Sequence, residues 1–401
     1  MVPQTHQFVR ATSNSVTDSR GSVGVAAHQD LSTGPMVRES ARIAVLHEWV
    51  AAYAGSEQVF EAIARMLPSA DLIALSYEPT VKLDVGARRI RTTFLDRQTL
   101  RSRRHLTLPI MPIAWRSLGT ANYDVVVSSH HAFAHTNRLA AGVHLCYVHS
   151  PARYLWSPEI DARGAAWYLG PVRAALRRLD LAASEMVTAY AANSTAVAER
   201  IEKFWGRDST VIHPPVRVGF FSETSPKAPT RDYVLGVGRW IPYKNLHLVI
   251  AAADLAGLPV KIAGRGADKS RLVAAAADAT VPVELIESPS DDQLRSLYRN
   301  AACLVFPTIE DFGIVPVEAQ AAGTPVVAPA QGGVLDTIVD GISGVLTRNV
   351  SADQFAAGIR DCTSITEHDC RQSSFRFDEL TFEREMARWL FEYSSGTIGH
   401  L

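Results

Sequence analysis

Two glutamates with seven residues between them, Glu310 and Glu318, lie in the stretch of the chain that says most about chemistry: Phe306-Pro-Thr-Ile-Glu310-Asp-Phe312-Gly313-Ile314-Val-Pro316-Val-Glu318-Ala-Gln-Ala-Ala-Gly323-Thr-Pro325. A buried strand ends at Pro307, Gly313 lets backbone approach a ligand, Pro316 suits a first helical turn, and Gly323 with Pro325 stops the helix. The N-terminus of that helix then faces a sheet edge, where backbone amides suit a diphosphate. A second constellation, Gly236-Val-Gly238-Arg239-Trp-Ile-Pro242-Tyr-Lys244, sets two cations around one turn at the end of a strand. A guanidinium and an ammonium so placed can stabilise charge on a leaving group, as a metal does in other enzymes. A third, Cys146-Tyr-Val-His149-Ser-Pro-Ala-Arg153-Tyr-Leu-Trp156, ends a strand in polar and aromatic side chains.

These residues need a frame, and short apolar runs alternating with helical periodicity describe one. Arg42 to His47 reads as a buried parallel strand, and Val59, Phe60, Ile63, Met66 and Leu67 recur at helical spacing behind it. Ser56 is the expected N-cap, which sets Gly55 at the turn where a phosphate can be received. Strands are also expected at Asp71 to Leu75, Asp124 to Ser128, Val143 to Val148 and Ser184 to Ala192. A Pro/Ser/Thr-rich stretch follows, and a second series then opens at Tyr233. The division is therefore a leader at 1–40, a first Rossmann-like domain at 41–221, a linker at 222–231 and a second Rossmann-like domain at 232–376. A C-terminal helix at 377–395 has Leu380, Phe382, Met386, Trp389, Leu390 and Phe391 near one face and is free to pack back on the first domain.

Bulk properties narrow the classes. The 401 residues exceed one ordinary core, and 47% apolar with 20% charged residues describes a globular α/β protein. Lys plus Arg (40) balances Asp plus Glu (41), so no global field points to nucleic acid. The four cysteines lack metal-ligand spacing and read as reduced thiols, and His131 and His135 have helical metal spacing but no third ligand. No membrane span or signal sequence is evident, the leader reads as disordered, and the expected location is the cytosol. Neither Gly-x-Gly has the third glycine of a dinucleotide fingerprint, which argues against hydride transfer.

The glutamate string, continued through Ala-Gln-Ala-Ala-Gly-Thr-Pro, resembles the GT4 family of retaining glycosyltransferases, with Glu310 and Glu318 on its two signature positions. The resemblance runs over most of the chain after residue 41. His149-Ser-Pro-Ala-Arg153-Tyr and Pro242-Tyr-Lys244 are similar to segments of a subgroup containing bacterial polysaccharide mannosyltransferases. It implies a GT-B fold of two Rossmann-like domains facing a central cleft, no cofactor and no metal. It also implies a nucleotide-sugar donor, GDP-mannose first and a UDP-sugar otherwise, and a glycan or lipid-linked acceptor.

By the same resemblance Arg239 and Lys244, with Gly55 nearby, hold the donor diphosphate. Glu310 and the amides of Phe312, Gly313 and Ile314 hold the sugar, Glu318 holds the ribose, and His149 lies near the reacting centre. The chain departs from the family at Ala54-Gly55, Ser157-Pro158 and Asp336, and Arg265 and Glu287 stand where other residues commonly line the nucleobase pocket. Arg88, Arg89, Arg91, Arg97, Arg101, Arg103 and Arg104, interleaved with Phe94, Leu95, Leu100 and Leu106, could rest on anionic lipid at the inner membrane face. The competing readings are a catalytically idle sugar-nucleotide-binding protein and a GT-B epimerase or phosphorylase.

Overall fold

The computed structural model describes residues 41–101, 107–157, 170–223 and 228–394. The 1–40 leader, Arg103, Arg104, Leu106 and Pro158 lie outside these residues. The first sheet comprises β1 (Ile43–Val50), β2 (Asp71–Tyr77), β3 (Ile90–Thr92), β4 (Thr120–His130), β5 (Arg138–Val148), β6 (Ala189–Ala192) and β7 (Thr210–Val211). The second comprises β8 (Tyr233–Arg239), β9 (Val260–Arg265), β10 (Val283–Glu287), β11 (Ala301–Val305), β12 (Val326–Pro329) and β13 (Gly344–Thr347). Their orders are β3-β2-β1-β4-β5-β6-β7 and β10-β9-β8-β11-β12-β13, and the paired strands within each are parallel.

Both orders reverse direction beside the first strand, between β1 and β4 and between β8 and β11. In open parallel sheets that reversal opens a crevice beyond the carboxyl ends of the strands, because the flanking connections leave to opposite faces. The strands are near-continuous apolar runs because helices cover both faces. Val45, Val125, Val127 and Leu145 lie in one core and Leu235, Leu304, Val326 and Ala328 in another.

The C-terminal helix Glu379–Tyr393, capped by Asp378, inserts Phe382, Met386, Trp389 and Leu390 into the core beneath the first sheet. Leu380 (67% exposed) and Phe391 (37% exposed) do not join that buried face. At the crossover, Val216, Val218 and Phe221 pack in the second core. Ser56 does not cap its helix, which starts at Gly55 after extended Ala54, and the Ser56 hydroxyl bonds Glu57 instead.

The arginine-rich stretch is less free than its composition suggests. Arg88 donates to the carbonyls of Ala64, Leu67 and Val85, and Arg101 pairs with Asp96 and Glu78. Leu95 is buried while Phe94 is half exposed. The four cysteines are free and buried, and no helix among the described residues is long and apolar enough to cross a membrane.

Candidate functional site

The turn after β8 forms a short 3-10 helix, Pro242–Lys244, and is tied to the segment after β11: Thr308 Oγ1 donates to the Lys244 carbonyl at 3.1 Å. This tie brings Lys244 into an ion pair with Glu310 at the carboxyl edge of the sheet. Lys244 is 7% exposed, whereas Arg239 is exposed and donates to Tyr243 Oη at 2.8 Å. Burial, with the charges of Arg239 and Arg153 nearby, pushes the Lys244 ammonium down to about 7. Arg239 and Lys244 thus outnumber Glu310 at this edge, while Arg153 is balanced by the neighbouring Asp311.

Gly313 begins the helix Ile314–Ala321 with a left-handed φ of 92°, which a side chain would strain. The Glu310 loop is held from behind by Gly333, whose N–H donates to the Glu310 carbonyl at 2.8 Å. Phe312 is buried against His213 and Phe377, so its side chain belongs to the core and only its backbone remains for a ligand. Glu318, one turn along the helix, accepts from Tyr298 Oη at 2.8 Å, and burial raises its carboxyl to about 6 despite nearby Arg217.

The first domain meets this helix directly. A Cβ placed on Gly55 would lie 2.5 Å from Ile314 Cδ1, so the two loops touch across the cleft. Arg153 and Arg200 both pair with the Asp311 carboxylate, and Ser194 Oγ donates to the Asp311 carbonyl. Asp336 accepts from the Thr195 N–H at 2.7 Å and pairs with His213 at 3.3 Å.

His149, at the end of β5, bonds through Nε2 to Ser129 Oγ at 2.8 Å, and burial together with His47 pushes its imidazolium down to about 3. His131 and His135 belong to separate clusters. The first packs by Trp49, His47 and His149, while the second bonds His130 and the Asp180 carbonyl. Among the described residues no three His, Cys, Asp or Glu side chains are placed to hold a metal. Arg265 and Glu287 stand exposed at the ends of β9 and β10, and Glu287 pairs with Lys269.

Asp311, Arg200, His47, Ser129 and Glu57 entered the site without a sequence signal of their own. Asp311 lay inside the glutamate string, and Arg200 is one of several charges on the helix Thr195–Trp205. His47 and Ser129 are 82 residues apart, a pairing that no local pattern announces.

Residues 220–374 match the family model for glycosyl transferases group 1. D-inositol 3-phosphate glycosyltransferase of Mycolicibacterium smegmatis is 38% identical over 153 residues, 34% of this chain and 35% of that protein. Its counterpart in Mycobacterium tuberculosis is 33% identical over 187 residues, 42% of this chain and 39% of that protein. The matched region therefore spans well under half the length of these relatives. The fold is similar to the crystal structure of Anabaena Alr3699/HepE in complex with UDP, with a TM-score of 0.66 at 18% identity over 88% of this chain and 100% of that one. Sucrose-phosphate synthase from Thermosynechococcus elongatus gives a TM-score of 0.69 at 18% identity with the same coverage. The chain thus has a two-domain GT-B fold, within which residues 220–374 are similar to the glycosyl transferases group 1.

Proposed function

We propose that the chain is a retaining hexosyltransferase that moves a sugar from a nucleotide-sugar to an acceptor hydroxyl without a metal. The observation that carries this reading is the Lys244–Glu310 pair, flanked by Arg239 and the amides beginning at Gly313, in the cleft where Gly55 meets Ile314. Lys244 and Arg239 bind the departing diphosphate. Glu310 and the amides of Phe312, Gly313 and Ile314 hold the sugar hydroxyls, and Glu318 holds the ribose. The acceptor oxygen attacks the anomeric carbon from the face that the diphosphate leaves, and the diphosphate takes the acceptor proton, so configuration is retained. Binding the donor releases Glu310 from Lys244, because the phosphate oxygens replace the carboxylate as the counter-charge.

GDP-mannose is the first donor to offer, on the strength of the His149-Ser-Pro and Pro242-Tyr-Lys244 segments. UDP-sugars are the competitors, and the curated relatives' inositol phosphate acceptor belongs in the acceptor panel beside glycans and lipid-linked glycans. Phe94, Arg89, Arg91 and Arg97 remain for peripheral contact with an anionic cytoplasmic leaflet, since Arg88 and Arg101 are engaged internally. Turnover of GDP-mannose, UDP-glucose, UDP-GlcNAc and UDP-galactose is measured in EDTA, with Arg239→Ala as control. One donor should turn over in a way that depends on Arg239. Binding without turnover of any donor, over a broad acceptor panel, would favour the idle binding protein.

A further inference from the structure

His149 is neutral at working pH, because its imidazolium titrates near 3, and so it carries a single ring proton. A neutral imidazole offers one donor and one acceptor, and the partner of one nitrogen decides what the other presents. His149 Nε2 lies 2.8 Å from Ser129 Oγ, and the same hydroxyl lies 3.0 Å from His47 Nδ1. His47 is wholly buried, and its Nε2 has no hydrogen-bond partner among the described residues. That Nε2 faces Glu57 Oε1 at 4.0 Å. Glu57 lies in the first turn of the helix Gly55–Met66, where the dipole favours a carboxylate, and its Oε2 accepts from Ser56 Oγ at 2.9 Å.

The hydroxyl of Ser129 has one proton, so the line of bonds can run in two directions. In one, Ser129 donates to His149 and accepts from His47 Nδ1–H. The Nε2 lone pair of His47 is then buried facing a carboxylate, which repels it and leaves it unsatisfied. In the other, His47 keeps its proton on Nε2 toward Glu57 and accepts the Ser129 hydroxyl at Nδ1. Ser129 then accepts from His149 Nε2–H. Only the second direction gives every buried group a favourable neighbour.

We propose that Glu57, His47 and Ser129 form a positioning relay that fixes His149 as the Nε2–H tautomer, leaving Nδ1 to accept a hydrogen bond from a substrate hydroxyl rather than donate to a phosphate oxygen. His149 is partly exposed, and its Nδ1 makes no hydrogen bond among the described residues. Of a sugar and its diphosphate, only the hydroxyls can donate to that lone pair. The ligand in this proposal rests on the glycosyl-transfer reading, while the tautomer does not.

Long-range proton–nitrogen correlation on the full chain with labelled histidine, with His149 assigned through His149→Gln, reads the tautomer directly. Wild-type protein should show a protonated Nε2 and an unprotonated Nδ1 at His149. Ser129→Ala and Glu57→Gln should convert this to a mixture of tautomers, and Ser129→Thr should restore it. In turnover assays Ser129→Ala should lower kcat/KM about 5- to 10-fold, the worth of roughly one hydrogen bond. A wild-type His149 protonated on Nδ1 would overturn the relay even if the enzyme is active, as would a Ser129→Ala protein with an unchanged tautomer. The expected tautomer in a protein that turns over no donor would uphold the relay and sink the glycosyl-transfer reading.

Discussion

At the residue scale, the proposed role of the buried Lys244 would tie donor binding to pH. Its ammonium is pushed down to about 7 by burial and by two arginines, and a bound diphosphate would pull it up again. Binding above pH 7 therefore takes up a proton, so the lysine's contribution to affinity is full below pH 7 and falls away as pH rises from 7 through the higher value it has in the complex. Donor affinity by calorimetry should weaken from pH 6 to pH 8, and Lys244→Arg, which stays charged, should flatten that profile. Lys244→Ala or Glu310→Ala should lower kcat by about 100-fold or more, the usual cost of losing an electrostatic contact made in the transition state. Glu318 carries the opposite sign of strain. Its folded carboxyl titrates near 6 against 4.5 for the free group, so keeping it ionised costs stability as pH rises between these values. Glu318→Gln should gain on the order of 1 kcal/mol at pH 7 and nothing near pH 4, while donor turnover falls. Thermal melts at the two pH values, beside a donor KM, would separate these effects. The glutamates and the two cations could be singled out because they lie in the two strings that carry the resemblance to the GT4 family. The shifts could not, because desolvation comes from residues remote in the chain.

At the scale of elements, the Glu310–Gly313 loop is held from two sides. Behind it, Gly332 has a φ of +74°, and a Cβ there would come within 2.5 Å of the Glu310 carbonyl, so Gly332→Ala should displace the loop and weaken donor binding. In front of it, Asp311 is gripped by Arg153 and Arg200 from the other domain. Asp311→Ala leaves both guanidinium groups without this carboxylate and should open the cleft. Small-angle scattering should show a larger radius of gyration, and kcat/KM should fall about 10-fold through loss of charge-assisted contacts. An unchanged scattering profile would remove the clamp from this account. Sequence periodicity located the strand behind each of these loops. It extended several strands too little at their ends, as at β4, because the terminal residues are polar and give no apolar signal: Ser129 and His130 are strand residues buried under other elements.

At the scale of the molecule, the last helix makes the first domain depend on residues from the far end of the chain. Trp389 is buried with Phe382, Met386 and Leu390 beside Val59, Phe60 and Ile63. Trp389→Ala should cost about 3 to 5 kcal/mol, measured by denaturant unfolding, and the loss should be seen in first-domain probes. The sequence by itself determined the α/β alternation, the two sheets, the turn chemistry at Gly313 and Lys244, and the amphipathic face of this helix, because each is a local pattern of a few residues. The tertiary structure decided the rest: which part of the crossover joins the second core, that Leu380 stays outside, that Arg88 caps a helix, and that His47, Ser129 and Glu57 converge on His149. These depend on contacts between residues distant in sequence, whose energies come from burial and from paired polar groups that exist only once the sheets have formed.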